Sequence, residues 1–356
     1  LVLCGDVPLL RTATLRRLVA RHRRAGASAT VLSMIAEDPT GYGRIVRGPD
    51  STLRIVEHRD ASDDERTIDE VNSGTYCFDS GFLLRSLGKL GRANVQKEYY
   101  LTDLVALAVG EGNHVRGIRM EDAVEAYGIN TRVHLSYAEA VARQRIRETL
   151  MLSGVTIVDP ASTYIDAGVS VGQDTILYPN THLIGSTRIG EDCRVGPNSV
   201  LRDSIVGDRC HLIAAVVEEA QLENDVSVGP FARLRKGAYL ASGVHMGNFG
   251  EVKTSRPGPG TKMGHFSYLG DAQIGPDVNI GAGTITCNFD GVQKQATIID
   301  EGAFIGSDTM LVAPVRVGKG ARTGAGSVVT HDVAPNSVVY GVPARPKKAD
   351  PQRREQ

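Results

Sequence analysis

Two cationic side chains lie eighteen residues apart in the second half of the chain, at Arg235 and Lys253. A coil of a parallel β-helix takes roughly 18 residues, so we expect these side chains at the same position on successive coils. Two stacked cations of this kind can clamp a phosphate group through charge-assisted hydrogen bonds. The alternative interpretation is a pair of solvated surface cations with no ligand.

A histidine follows the two cations at a glycine turn, Gly264-His265. Imidazole titrates near neutral pH and is the commonest general base in enzymes. A lone histidine is more often structural, but the neighbouring cationic pair favours a catalytic role here. His265 is therefore our candidate for a general base.

The elements that must position these residues form a repeat with a period of six. Each hexad of a parallel β-helix supplies one short strand and one turn, and three hexads close a triangular coil. Stacked coils bury the periodic aliphatic side chains in a continuous core that no single coil could form. The series are Ile165, Val171, Leu177, Leu183, Ile189, Val195 and Leu201; then Val228, Leu234, Leu240, Met246 and Val252; then Ile299, Ile305, Leu311, Val317, Thr323 and Val329.

Two segments are predicted to break coils of this repeat, residues 256–260 and 288–296. Long insertions in repeat proteins often carry binding functions. The polar and charged residues 343–356 are expected to form a frayed tail after a β-helix that covers residues 154–342.

Residues 1–131 predict an α/β domain. Apolar runs typical of strands alternate with stretches of helical spacing, which favours a sheet covered by helices. Ligands of such sheets bind at the carboxyl ends of the strands. Residues 132–153 predict one long linker helix, because Arg132–Leu152 contains neither Pro nor Gly. The predicted strands cover residues 1–3, 29–35, 53–57, 71–78 and 115–119, and the predicted helices cover 9–25 and 101–109.

The composition argues against several classes of protein. The chain has 40 Lys and Arg against 41 Asp and Glu, so no basic excess suggests nucleic acid or an anionic membrane as a partner. No apolar run approaches the roughly 18 residues of a membrane helix. Five scattered cysteines without a C-x-x-C pair suggest neither a disulfide framework nor a zinc site. We therefore expect a cytoplasmic protein with reduced thiols.

Motifs in both halves resemble those of one bacterial family, the bifunctional N-acetylglucosamine-1-phosphate uridyltransferase/glucosamine-1-phosphate N-acetyltransferases. In the second half the resemblance rests on GPFARLR, GHFSYLGD and NIGAGTITCNFDG. In the first half it rests on CGDVPL, GYGRI, IVEHRDA, NSGTYCFD and KEYYLTD. The resemblance covers nearly the whole chain. It implies a partial, Rossmann-like nucleotidyltransferase sheet followed by a left-handed β-helix that assembles as a homotrimer, with the acyl-donor site at subunit contacts.

For the second half, the resemblance implies acetyl transfer from acetyl-CoA to glucosamine 1-phosphate. His265 would take a proton from the 2-amino group, and the neutral amine would attack the thioester. Arg235 and Lys253 would hold the sugar phosphate, and Lys294 is a further candidate for the sugar phosphate or CoA. The implied sugar contacts are Tyr268 and Asn279, and the implied acetyl-CoA contacts are Ala282, Asn288, Phe289, Ser307 and Ala325.

For the first half, the resemblance implies a nucleotidyltransferase that uses UTP and Mg²⁺. Asp6 and Asn130 would hold the Mg²⁺, a hard cation that prefers oxygen ligands. By residue type alone, Asp6 could equally be a helix N-cap and Asn72 a turn residue. The implied contacts with UDP-N-acetylglucosamine are Gly5, Asp6, Gly43, Glu57, Asn72 and Asn130.

The sequence departs from the family pattern at two places. The glycine-rich loop L-x-A-G-x-G-T-x-M, which cradles the UTP phosphates through backbone N–H groups, does not occur in it. We therefore expect that the chain lacks the family's first segment and, as given, cannot make UDP-N-acetylglucosamine. Near the end of the β-helix, Gly341 stands where the family has a CoA-binding arginine. Arg345, Lys347 and Lys348 are the candidates to replace it.

Three functions compete. The first is acetyl transfer, followed in the intact protein by uridylyl transfer, in the synthesis of peptidoglycan and lipopolysaccharide precursors. The second is a sugar-1-phosphate nucleotidyltransferase whose β-helix is a non-catalytic trimerising scaffold. The third is a scaffold with an inert first domain. A mere scaffold gives no reason for GHFSYLGD or for the Arg235 and Lys253 pair, which favours the first function.

Overall fold

The computed structural model describes residues 1–48, 52–92 and 94–346. The chain divides into two compact units, Leu1–Ala142 and Arg143–Gln356. Within the described ranges, no helix combines the length and apolarity needed to cross a membrane.

The first unit is built on a mixed sheet with strand order β3-β2-β4-β1-β5 in its described part. β1 pairs antiparallel with β4 and parallel with β5. β1 is buried along nearly its whole length because its apolar run faces helices on both sides. The strands are β1 Ala29–Ile35, β2 Arg44–Arg47, β3 Leu53–Val56, β4 Glu70–Phe78 and β5 Val115–Arg119. The helices are α1 Thr12–Ala25, α2 Asp63–Arg66, α3 Ser80–Ser86 and α4 Asp103–Gly110, with 3₁₀ turns at Leu87–Lys89 and Ala123–Ala126.

The predicted first strand at residues 1–3 is wrong as an element. Val2 makes a single antiparallel bridge to Tyr76, and the chain then turns at Gly5-Asp6. The turn ends the pairing after one residue and presents Asp6 at the mouth of a cavity described below.

The long helix α5 runs over Arg132–Leu152. Within the second unit, its side chains Ile146 and Leu150 pack against the core of the β-helix. The guanidinium of Arg143 lies 4.4 Å from the centre of the Tyr164 ring, a cation–π contact. Through these contacts the C-terminal end of α5 packs against the first coils of the β-helix.

The second unit is a parallel β-helix with three faces. The first face comprises Tyr164–Ile165, His182–Ile184, Val200–Arg202, Val216–Glu218, Arg233–Leu234, Glu251–Lys253, Tyr268–Gly270, Ile285–Cys287, Met310–Val312 and Val328–Val329. The second face comprises Thr156–Ile157, Ile176–Leu177, Arg194–Val195, His211–Leu212, Ser227–Val228, His245–Met246, Lys262–Met263, Asn279–Ile280, Phe304–Ile305, Arg322–Thr323, Val338–Gly341 and Ala344–Pro346. The third face comprises Ser170–Val171, Arg188–Ile189, Ile205–Val206, Gln221–Leu222 and Tyr239–Leu240, then Arg256–Pro257, Ala272–Ile274, Thr297–Ile299 and Val315–Val317.

The core of the β-helix confirms the hexapeptide periodicity. The side chains at the predicted hexad positions are buried, with the exception of Val171, which is half-buried near the first coils. Burial of each Val, Leu or Ile stabilises the fold by about 1.5–3 kcal/mol relative to exposure. Because coils share this core, each coil depends on its neighbours.

Two expectations about the ends and breaks of the repeat are corrected. Residues 256–260 do not break a coil, because Arg256–Pro257 forms a third-face strand that pairs with Ala272–Ile274. Pro257 has no N–H to donate, and the third face divides into two sheets at this point. The tail does not start at residue 343, because Ala344–Pro346 pairs antiparallel with Val338–Gly341. Residues 347–356 lie outside the described residues.

Candidate functional site

One edge of the β-helix, where each coil turns from the second face to the first, gathers the candidate base and several predicted acetyl-CoA contacts. The second-face strands that lead into these turns pair in register from coil to coil. The residue two positions after each strand therefore lies at the same place on every coil, about 4.8 Å from its neighbour. We call these residues the edge column: Asn248, His265, Ala282, Ser307 and Ala325.

His265 is exposed on this edge. Its Nδ1 lies 3.2 Å from Oδ1 of Asn248 on the preceding coil. The coils approach closely here, since a Cβ added to Gly247 would overlap the carbonyl of Gly264. The imidazole therefore contacts the preceding coil on one side, through Asn248, and is exposed to solvent on the other.

The remaining members of the edge column have short side chains. Ser307 and Ala325 are exposed, and Ala282 is half-buried. The backbone hydrogen bonds between coils remain regular here. The backbone N–H of Asp308 donates to the Ala282 carbonyl at 2.6 Å, and that of Gly326 donates to the Ser307 carbonyl at 2.8 Å. An elongated ligand can therefore lie along the edge, parallel to the axis, with one end beside His265.

The first face carries a cluster of positive charge, which we call the cation patch: Arg235, Lys253 and Lys294. Arg235 and Lys253 lie at the same position on successive coils, because the preceding residues Leu234 and Val252 pair in register. This confirms the alignment predicted from their spacing. The Lys294 ammonium beside Lys253 holds the pKa of Lys253 below its usual value, and burial and Arg235 add to this effect. Nη1 of Arg235 also donates to Glu251 at 2.8 Å.

The strand Tyr268–Gly270 lies on the first face and begins three residues after His265. A Cβ added to Gly270 would overlap the Tyr268 hydroxyl and would lie 2.7 Å from Nδ2 of Asn288. Asn288, which is buried, donates from the same Nδ2 to Asp271 at 2.5 Å. Tyr268 and Asn288 thus meet above a position that has no side chain.

The insertion at residues 288–296 is an ordered loop. Phe289 and Lys294 form an antiparallel bridge. The Asp290 carboxylate accepts hydrogen bonds from the Gln295 side chain at 3.0 Å and from the backbone N–H groups of Gln293 and Val292 at 2.8 Å. These bonds lower the pKa of Asp290 to about 2, with the Gln295 side chain as the largest cause. The loop therefore holds Lys294 beside Lys253 by a defined set of contacts.

Some predicted residues lie apart from these two clusters. Asn279 is on the second face, paired with Lys262 and Phe304. Within the described ranges, no hydrogen bond joins His265 to the cation patch. Gly341 pairs with Ala344 in the final hairpin. Arg345 lines a cavity of about 600 Å³ at the end of the β-helix, while Lys347 and Lys348 lie outside the described residues.

The first unit has a separate cavity of about 530 Å³. Of the six residues predicted to contact the sugar nucleotide, it is lined by Asp6, Gly43, Asn72 and Asn130. Gly5 precedes Asp6 in the turn. Glu57 lies behind Gly43, where a Cβ would come 3.4 Å from its carboxylate, and accepts a hydrogen bond from Thr102 at 3.0 Å.

The donor set of this cavity suits Mg²⁺. Among the described residues, no group of three or more His, Cys, Asp or Glu side chains could hold a metal. Mg²⁺ does not require such a group, since it is commonly held by one or two protein oxygens, substrate phosphates and water. Asp6 and Asn130 supply two oxygens on one cavity.

The sequence alone did not indicate several residues in and near the first-unit cavity. Tyr42, Tyr127 and His134 also line the first cavity. Arg44 is buried beneath it, donates to the Tyr42 carbonyl and lies 3.2 Å from Nδ1 of His58. The GYGRI motif could have indicated Arg44, because it places an arginine directly before an apolar residue at the start of a strand. An arginine that is buried at such a position needs specific polar partners.

Comparisons with known proteins agree with this two-part structure. Residues 1–127 match the family described as "Nucleotidyl transferase", residues 168–203 match "Bacterial transferase hexapeptide (six repeats)" and residues 296–331 match "Hexapeptide repeat of succinyl-transferase". The bifunctional protein GlmU of Trichlorobacter lovleyi is 52% identical over 95% of this chain and 74% of its own length. That of Fervidobacterium nodosum is 52% identical over 96% of this chain and 74% of its own length.

Among solved structures, the Arabidopsis UDP-N-acetylglucosamine acyltransferase matches 55% of this chain and 72% of its own length. Its sequence identity is 18% and its TM-score is 0.37, which is too low to support a functional comparison. The two sequence relatives, by contrast, are half identical to this chain along nearly its full length. By that relationship, the chain belongs to the family of bifunctional GlmU proteins.

Proposed function

We propose that the β-helix transfers an acetyl group from acetyl-CoA to the 2-amino group of glucosamine 1-phosphate, with His265 as the general base. The observation that carries the proposal is the edge column, which places an exposed imidazole in line with Ala282, Ser307 and Ala325. The pantetheine arm of acetyl-CoA is elongated and fits such a row, with its thioester beside His265.

The chemistry follows from the groups present. The amine nitrogen attacks the thioester carbonyl and forms the new C–N bond, while its proton passes to the imidazole of His265. The C–S bond then breaks, and the thiolate of CoA leaves and takes the proton from the imidazolium. Imidazole can perform both transfers because it changes charge near neutral pH.

The cation patch is the proposed site of the sugar phosphate. Arg235 can bind two phosphate oxygens at once, and Lys253 and Lys294 add two point charges. The mutual repulsion that lowers the pKa of Lys253 is relieved when an anion lies between the three cations. Tyr268 and Asn279 would contact the sugar, and Asn288 and Phe289 would contact acetyl-CoA.

We also propose that the first-unit cavity binds UDP-N-acetylglucosamine, the product of uridylyl transfer from UTP, which is the second activity of the family. Asp6 and Asn130 would hold Mg²⁺, which neutralises phosphate charge when it is bound. Gly5, Gly43, Glu57 and Asn72 would contact UDP-N-acetylglucosamine. Calorimetric titration of the chain with UDP-N-acetylglucosamine and Mg²⁺ tests this, and Asp6→Asn should weaken binding only when Mg²⁺ is present.

A homotrimer is proposed because an apolar strip adjoins the edge column. Phe231, Phe249 and Phe266 follow one another on successive coils with exposed fractions of 62%, 59% and 56%. The first two rings stack with centres 5.3 Å apart. A contiguous exposed aromatic strip of this kind is typical of a protein contact. A cytoplasmic location remains a prediction from composition.

The test of the acetyltransferase is thiol release from acetyl-CoA with glucosamine 1-phosphate as acceptor. His265→Ala should reduce kcat by about a hundredfold or more, as expected for loss of a general base. The matched control is His245→Ala, an exposed second-face histidine outside both clusters, which should keep wild-type activity. Equal rates in wild type and His265→Ala, or no rate in either, would favour the scaffold alternative.

A further inference from the structure

Asn248 is the protein partner of the candidate base. It occupies the same place as His265 on the preceding coil, two residues after the strand His245–Met246. Its Oδ1 lies 3.2 Å from Nδ1 of His265. In the described part of the chain, this is the one hydrogen bond that His265 makes, so its orientation depends on Asn248.

The contact determines which ring nitrogen can act as a base. A carbonyl oxygen only accepts, so the proton of the neutral imidazole must be on Nδ1 when this bond forms. The lone pair is then on Nε2, at the opposite side of the ring. Because Nδ1 is turned toward the preceding coil, Nε2 is the nitrogen left for solvent or substrate.

The amide group of Asn248 also affects the charge around His265. An amide does not ionise, so it fixes the tautomer without placing a negative charge beside the imidazole. The close stacking of Gly247 on Gly264 sets the distance between the two turns and keeps both side chains on one edge. The contact therefore results from the coil geometry rather than from flexible surface groups.

We propose that Asn248 is a positioning residue that holds His265 in the Nδ1–H tautomer and aims Nε2 at the acceptor amine. This inference rests on the proposed acetyltransferase, and it adds to it a residue that acts only through the base. Asn248 touches neither the acceptor nor the thioester in this scheme, so its removal should change kcat and leave both KM values unchanged.

The experiment compares two substitutions at Asn248. Asn248→Leu has nearly the same size but no acceptor, and kcat should fall about 10- to 100-fold. Asn248→Asp keeps an acceptor oxygen at the same place and should retain activity within a few-fold. Ser227→Ala is the matched control, since it removes a hydroxyl 2.7 Å from Nδ1 of His245 on the next coil, away from the site. It should leave kcat unchanged.

A structural role and a positioning role give different results. Thermal melting should be similar in Asn248→Leu and Ser227→Ala if only an inter-coil hydrogen bond is lost. The ¹⁵N shifts of His265, assigned by comparison with His265→Ala, should show Nδ1–H in the wild type and a mixed tautomer in Asn248→Leu. An unchanged kcat in Asn248→Leu, or an Nε2–H tautomer in the wild type, overturns the inference. An inactive wild type would instead count against the proposed function, and the ¹⁵N shifts would still decide the tautomer.

Discussion

The side chains of Tyr268 and Asn288 converge over Gly270, the position between them that has no side chain. Alanine at residue 270 would overlap the tyrosine hydroxyl and force one of the two away. We expect Gly270→Ala to reduce kcat/KM for glucosamine 1-phosphate by about tenfold, as for loss of the proposed hydrogen bond between Tyr268 and the sugar. Steady-state kinetics measure it. Gly88→Ala, where a Cβ meets open space, is the control. Wild-type kinetics in Gly270→Ala would mean that neither side chain needs its present place.

Lys294 should control the alkaline limit of sugar-phosphate binding. The pKa of Lys253 is lowered by Lys294, so Lys253 loses its charge at a lower pH than an ordinary lysine as the pH rises. KM for glucosamine 1-phosphate should therefore increase on the alkaline side. Lys294→Met should raise KM at neutral pH and move this increase to higher pH. Lys319→Met, an exposed lysine paired with Glu301, is the control. A KM profile unchanged by Lys294→Met would remove Lys294 from the site.

Asp290 should stabilise the loop at residues 288–296. Its pKa is lowered to about 2 from 3.8, so its stabilising effect is present above the ordinary pKa and is lost as the pH falls through about 2. Asp290→Asn weakens charge-assisted hydrogen bonds to backbone N–H groups. Amide exchange at Val292 and Gln293 should then accelerate severalfold at neutral pH. Asp225→Asn, a carboxylate paired with Arg209 elsewhere, should leave that exchange unchanged. Unchanged exchange in Asp290→Asn would show that other contacts order the loop.

The aromatic strip should hold the oligomer together. Phe249 has φ of 55°, a conformation that Asp adopts readily, so Phe249→Asp changes the surface without new backbone strain. A charge in this strip should dissociate the proposed trimer to monomers, as measured by light scattering after size exclusion. Leu84→Asp, also exposed, serves as the control in the other unit. A trimer that survives Phe249→Asp places the contact elsewhere on the β-helix.

The hexad pattern predicts the β-helix core well because burial selects aliphatic side chains at fixed spacing. The alignment of Arg235 with Lys253 on successive coils was predictable from that spacing. The contact of Asn248 with His265 did not, because this coil is one residue shorter and the partners are seventeen apart. The shorter coil is evident only from the strand register, in which His245 pairs with Lys262 at a spacing of seventeen residues.

Other features depend on packing that a pattern does not contain. Pro257 was interpreted as a break, whereas its missing N–H only divides a sheet that continues on either side. The hairpin of Ala344–Pro346 has no hexad signal, since it pairs antiparallel. The convergence of Tyr268 and Asn288 over Gly270 depends on the directions of the two side chains. The motif GHFSYLGD contains the glycine but does not show which side chains lie above it.

The edge column also fixes distances along the β-helix in equal steps. His265 and Ala325 lie three coils apart, so the two ends of this part of the column are separated by whole steps of about 4.8 Å. Such a distance cannot drift by a fraction of a step when surface residues change. It can be altered only by adding or removing a complete coil, which would fit the column to a longer or shorter ligand while leaving His265 and its neighbours intact.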